Sequence, residues 1–117
     1  MTRTTRILTV AGAVTALAAP LAYGHAEIKR YSPAKGSTVP RTLSVVSVRF
    51  SEGVLGGSLV VKDANGRKFS RSSALADHKR VLRARLKSLH KGRYTAKATW
   101  LADDGDKQSK SWSFKVR

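Results

Sequence analysis

Gly92-Arg93-Tyr94-Thr95-Ala96-Lys97-Ala98-Thr99-Trp100 is the stretch that decides the fold class. Tyr94, Ala96, Ala98 and Trp100 fall on one side of an extended chain, and Arg93, Thr95, Lys97 and Thr99 on the other. Successive side chains of a strand point to opposite faces, so this alternation marks a β-strand with one buried face and one wet face. Lys110, Trp112, Phe114 and Val116 alternate in the same way, and Asp103-Asp104-Gly105-Asp106 joins the two strands. Trp100 and Trp112 lie on inward faces, where they read as core rather than as ligand-stacking residues.

The same reading extends upstream. Leu43 to Ser51 is a strand with Val46, Val48 and Phe50 on one face; Leu43 and Val45 are out of phase, which predicts a bulge or a late start. Ser58 to Lys62 is a strand, Asp63-Ala64-Asn65-Gly66 a hairpin signal, and Arg67 to Arg71 the expected partner strand. The first strand is Ala26 to Tyr31, followed by a turn at Pro33-Ala34-Lys35-Gly36. Residues 72–91 fit two patterns. Leu75, Leu82, Leu86 and Leu89 share a helical face, whereas the alternation of Leu82, Ala84 and Leu86 with Arg83 and Arg85 fits a strand. A loop over 72–79 and a strand over 80–86 is preferred. The count is seven strands in roughly 90 residues, the size of an all-β Greek-key sandwich.

Residues 1–24 read as a signal peptide. Arg3 and Arg6 make a positive start, an apolar stretch runs from Ile7 to Ala18, and the small-residue pattern Ala22-Tyr23-Gly24 ends it. The alternative is an uncleaved signal anchor, although the stretch is short and rich in Ala, Gly and Thr for a membrane span. Cleavage after Gly24 leaves a single domain, 25–117, that is periplasmic or extracellular. There is no cysteine, so the domain holds by its core alone, and thiolate metal sites and cysteine nucleophiles are excluded. Beyond residue 24 there are 21 Lys and Arg against 7 Asp and Glu, a charge of about +14. Such a charge steers the protein toward anions: an anionic cell-surface component, acidic lipid or an acidic partner. Export argues against nucleic acid.

The cut would make His25 the first residue. A terminal histidine offers its amine and its imidazole to one metal ion, a chelate that no internal residue can make, and copper suits a nitrogen-rich pair.

The chain resembles the CopC-like proteins of bacterial copper resistance and homeostasis. The landmarks are His25-Ala26, Ser32-Pro33-Ala34-Lys35-Gly36-Ser37, Val48-Arg49-Phe50-Ser51-Glu52, Val61-Lys62-Asp63-Ala64-Asn65-Gly66, Gly92-Arg93-Tyr94-Thr95 with Trp100, Asp104-Gly105, and Phe114-Lys115-Val116. The resemblance implies an immunoglobulin-like or cupredoxin-like sandwich, no enzymatic activity, and a monomer that binds cupric ion as a carrier or buffer. Some relatives work beside a membrane copper transporter. It also implies a ligand set in which His25 supplies amine and imidazole, Asp104 is the family's aspartate, and the family's second histidine falls on Asp106. Here the chain departs from the pattern. A carboxylate in place of an imidazole keeps an oxygen donor but gives up a nitrogen one, which lowers the expected copper affinity. Asp103, Asp104 and Asp106 also admit a calcium-like oxygen site or a plain capped turn. The family's thioether site is excluded, because the one methionine is Met1.

His78 and His90 each sit in a basic stretch and read as surface histidines, with completion of a copper site as the alternative. Glu52 is either a carboxylate that holds an imidazole or one partner of an ion pair. Arg67, Lys68, Arg71, Lys79, Arg80, Arg83 and Arg85 form the densest basic cluster; as strands they would crowd one outer face and hold a polyanion, and as solvated charges they need no ligand. No Gly-x-Ser-x-Gly elbow or phosphate-binding glycine loop is present. Two rivals to the copper carrier remain: a metal-free basic module that docks on an anionic surface, and a small copper oxygenase, which would need a second histidine beside His25.

Overall fold

The structure, a computed structural model, describes residues 26–117. The expected signal peptide, the expected domain start and His25 lie outside the described residues. The elements are β1 (Ile28–Ser32), β2 (Thr38–Val39), β3 (Val45–Phe50), β4 (Gly56–Asp63), β5 (Ser70–Ala76), β6 (Val81–Leu86), β7 (Gly92–Leu101) and β8 (Lys107–Val116). They form two four-stranded sheets, β1-β3-β6-β5 and β2-β8-β7-β4. Only β5–β6 and β7–β8 are hairpins within one sheet; every other connection crosses between sheets, which is Greek-key wiring.

The expected alternation is what builds the core. Tyr94, Ala96, Ala98 and Trp100 of β7 face inward with Trp112, Phe114 and Val116 of β8. Val46, Val48 and Phe50 of β3 and Leu82, Ala84 and Leu86 of β6 meet them from the other sheet. β3 starts late, at Val45, so the phase break at Leu43 is the end of a loop.

The sequence reading needs three corrections. The two residues Thr38–Val39 pair in parallel with Lys115 and Val116, which makes eight strands rather than seven. Arg67–Arg71 begins as the hairpin partner of β4, through Asp63 N to Arg67 O (2.9 Å) and Phe69 N to Val61 O (2.8 Å), but leaves it at Ser70. From there the chain joins the other sheet as β5 and pairs with β6. Residues 72–76, read as loop, therefore belong to a strand. The segment is serine-rich because the serines act at the sheet edge. Ser73 Oγ accepts from Leu59 N (2.8 Å) and Ser70 Oγ from Val61 N (2.9 Å), so the outward amides of edge strand β4 are satisfied by β5 side chains. That seals a sheet edge that would otherwise offer a row of donors to another chain.

One end of the sandwich is closed by a buried polar knot. The Tyr94 hydroxyl accepts from His90 N (2.9 Å) and donates to His90 O (2.8 Å), a tyrosine corner at the start of β7. The Asp63 carboxylate, with its side chain 1% exposed, accepts from the amides of Asn65 (3.0 Å) and Arg67 (2.8 Å) and faces His90 Nε2 at 3.3 Å.

Candidate metal centre

The opposite end is where the chain enters the fold. Ala26 is fully buried, and its carbonyl accepts the indole N–H of Trp100 at 3.1 Å. Glu27 N donates to Ser51 Oγ (3.0 Å) and Ser51 N donates to Glu27 O (2.8 Å). Residue 25 is one peptide unit, about 3.8 Å, from the buried Cα of Ala26. The anchoring residues Trp100 and Ser51 were not singled out for this role from sequence. The available signal was the buried indole, because a buried Trp N–H takes a partner.

Trp100 also leads to the turn that carries the expected carboxylates. Leu101 ends β7, and Ala102 N to Asp106 O (2.8 Å) with Gly105 N to Ala102 O (2.9 Å) closes a tight connection into β8. Gly105 takes φ +93°, a left-handed conformation that suits glycine. Asp104 Oδ1 accepts from Asp106 N at 2.9 Å, so the Asx turn read as an alternative is present. Asp103, Asp104 and Asp106 are all exposed. Strand register thus brings Asp104 and Asp106 to the same end as Ala26. Among the described residues no three His, Cys, Asp or Glu are grouped closely enough to hold a metal ion.

The other candidates separate cleanly. The β5–β6 turn lies at this same end, tied to the 51–55 loop by Val54 N to Lys79 O (3.0 Å). His78 sits on its tip with its side chain 94% exposed and one carboxylate neighbour, Asp77, at 3.9 Å. Glu52 is in the half-buried part of the 51–55 loop, one residue beyond Ser51. His90 is at the far end of the sandwich. Its Nδ1 lies 2.9 Å from Lys91 O and its Nε2 faces Asp63, so both ring nitrogens are engaged in the knot. It cannot be the second imidazole of an amino-terminal copper brace.

Six of the seven acids, Glu27, Glu52, Asp77, Asp103, Asp104 and Asp106, gather at this end. The Asp77 carboxyl is held below its ordinary value by the hydrogen bond and charge of Arg49, 2.6 Å away. Beside the entry point, Tyr31, Trp100 and Gln108 help line a cleft of about 360 Å³ between β1 and β8. On a body of high positive charge, this end offers a cation the least repulsion.

A CopC domain model matches residues 28–117. The chain belongs to the CopC family. Its fold superposes on CopC from Methylosinus trichosporium OB3b with a TM-score of 0.71 at 26% identity, covering 79% of this chain and 93% of that one. PcoC, a methionine-rich copper resistance protein from Escherichia coli, gives a TM-score of 0.66 at 18% identity, covering 80% and 99%. No curated protein sequence matches at a significant level. CopC proteins are copper-binding and copper-resistance proteins, not enzymes. Unlike the methionine-rich PcoC, this CopC domain contains no methionine.

Proposed function

We propose that the chain is an exported copper carrier or buffer, periplasmic or secreted, that takes cupric ion at an amino terminus created by cleavage after Gly24. The His25 amine and imidazole form the chelate, and Asp104 and Asp106 supply oxygen donors from the β7–β8 turn. Cupric ion accepts such a tetragonal mixture of nitrogen and oxygen. A membrane copper transporter is the partner such a carrier would serve.

One observation carries this reading. Ala26, next to His25, is buried and hydrogen-bonded to Trp100, two residues before the turn that presents Asp104 and Asp106. A merely arbitrary first residue needs no such anchorage.

The test is a cupric titration, read by electron paramagnetic resonance, of protein that begins at His25. The same protein with one added N-terminal alanine is the control. A stoichiometric nitrogen-coordinated signal, lost on adding the alanine, is expected. Weak binding identical in both proteins would sink the proposal and leave a metal-free module. In the same assay Asp106→His restores the family's second imidazole and should tighten binding by about tenfold or more, the scale of a change in a metal's near environment.

A further inference from the structure

The end of the sandwich far from Ala26 carries cations from four separate segments and displays no exposed Asp or Glu side chain among the described residues. Arg41 and Arg117 meet there, Arg41 Nε donating to Arg117 O at 3.2 Å. The β4–β5 turn brings Lys62, Arg67 and Lys68, and the β6–β7 connection brings Lys87 and Lys91, all exposed. Arg93 and Lys115 stand directly opposite each other at the start of β7 and the end of β8. The one acid of this end, Asp63, is buried in the polar knot.

Two like-charge pairs are built into this cap. Lys62 bridges directly to Lys68, and Arg93 pairs with Lys115. Like charges facing across a ladder destabilise a sheet. The comparable pair in the other sheet, Arg30 opposite Arg49, is relieved by Asp77. Among the described residues the one carboxylate side chain of this end, Asp63, lies 3.7 Å from Arg67 Nε rather than at either cap pair, so an external anion is what would relieve them.

The shape selects the anion. The cations ring the end of a sandwich, where they can meet a plane together. A polymer strand would instead follow a groove, and clefts of about 260 and 360 Å³ flank Arg83 and Arg85 on the face of the first sheet. Among the described residues the most exposed large apolar side chain, Leu55, is at the opposite end, and the cap side has only Val45, 37% exposed, so the cap offers little for insertion. We infer that this cap docks by charge alone on the headgroup plane of an anionic phospholipid bilayer. The ten residues of β7 span roughly 33 Å, so the amino-terminal end would stand that far from the bilayer and face outward. If the copper reading holds, that is the orientation of a collector.

Cosedimentation tests it, with the chain from His25 onward and vesicles of phosphatidylcholine with or without phosphatidylglycerol. The cap variant changes Lys68, Lys91, Arg93 and Lys115 to Ser; a control with the same net charge changes Arg30, Arg71, Arg83 and Arg85 to Ser. Each cation near an anionic bilayer contributes about fivefold in partitioning, so the cap variant should lose roughly several hundredfold. The control should lose far less, and high salt should abolish binding to the mixed vesicles. Thermal melting of the cap variant no lower than that of the parent, raised if anything by loss of the two like-charge pairs, and an unchanged cupric titration would separate this result from misfolding and from failure of the metal centre. Equal losses in both variants, no binding to mixed vesicles, or tighter binding to soluble polyphosphate that depends on Arg83 and Arg85 would each overturn the assignment.

Discussion

The two ends of this sandwich are closed by different chemistry. The far end is shut through side chains: the buried Tyr94 hydroxyl holds the His90 backbone, the buried Asp63 faces the half-exposed His90 ring, and the charged side chains left at the surface are cations. The amino-terminal end is shut mostly by backbone, with Ala26, Glu27, Ser51 and Leu101 carbonyls and amides tied across it, and its carboxylates are left outside. An end whose polar side chains are consumed internally can offer a ligand only net charge. An end held largely by main chain leaves its acids at the surface, some of them paired, as Asp77 is with Arg49. The difference teaches where each kind of binding can arise on a small domain without cysteine.

The largest expected effect comes from removing one polar atom at each end. Tyr94→Phe deletes the hydroxyl that serves both His90 N and His90 O, and a buried donor left unsatisfied costs about 1–3 kcal/mol. Urea unfolding should show that loss, with cupric affinity unchanged. Trp100→Phe deletes the donor to Ala26 O. It should lower cupric affinity by about tenfold, as loss of a ligand's support does, with a smaller loss of stability. Equal effects of the two variants on copper would erase the division between the ends.

Acid sharpens the same comparison. The Arg67 amide is the main cause that holds the Asp63 carboxyl below its ordinary value of 3.8; burial opposes it, and the His90 ring and Asn65 amide assist. A carboxyl with a lower value in the folded than in the unfolded chain binds its proton more weakly when folded. Its stabilisation is therefore complete above about pH 4 and is lost as pH falls through the lower folded value. Asp63→Asn should cost stability at neutral pH and flatten the acid limb of the unfolding midpoint. Asp77 is also lowered, by Arg49, but both groups are about half exposed, and exposed pairs contribute little. Asp77→Asn should flatten that limb less, and the reverse order would count against the buried knot as the main acid-labile element.

Much of this architecture is legible residue by residue. β7, β8 and β3 announce themselves because one face is buried and the other wet, so alternation survives in the sequence. β5 does not, because its serines serve the edge of β4 rather than a face, and hydroxyls acting on backbone leave no periodic trace. The β5–β6 turn fell largely inside the expected loop over 72–79, but its bounds were not legible, because it takes left-handed backbone without glycine. The polarity of the two ends was not legible either. Its acids come from four segments between residues 27 and 106, and only strand register brings them together. Asp104 and Asp106 were reached through family resemblance, since Asp-Asp-Gly-Asp alone reads equally as a capped turn.

The smallest expected effect tests which side of that division His78 belongs to. Asp77, His78 and Lys79 have φ of 51°, 56° and 64°. Left-handed backbone costs an L-residue about 1–2 kcal/mol. The turn is nonetheless held by Arg80 N to Asp77 O (3.1 Å), Phe50 N to Arg80 O (2.7 Å) and Val54 N to Lys79 O (3.0 Å). His78→Gly removes the strain at one residue, offset by the extra freedom of glycine in the unfolded chain, about 0.5–1 kcal/mol. A gain below about 1 kcal/mol is expected in urea unfolding, with cupric affinity unaltered. His78→Asn, which tolerates the same backbone, controls for flexibility. If both variants weaken copper binding, the imidazole is a ligand, and the metal centre extends from the β7–β8 turn across the end of the sandwich to the other sheet.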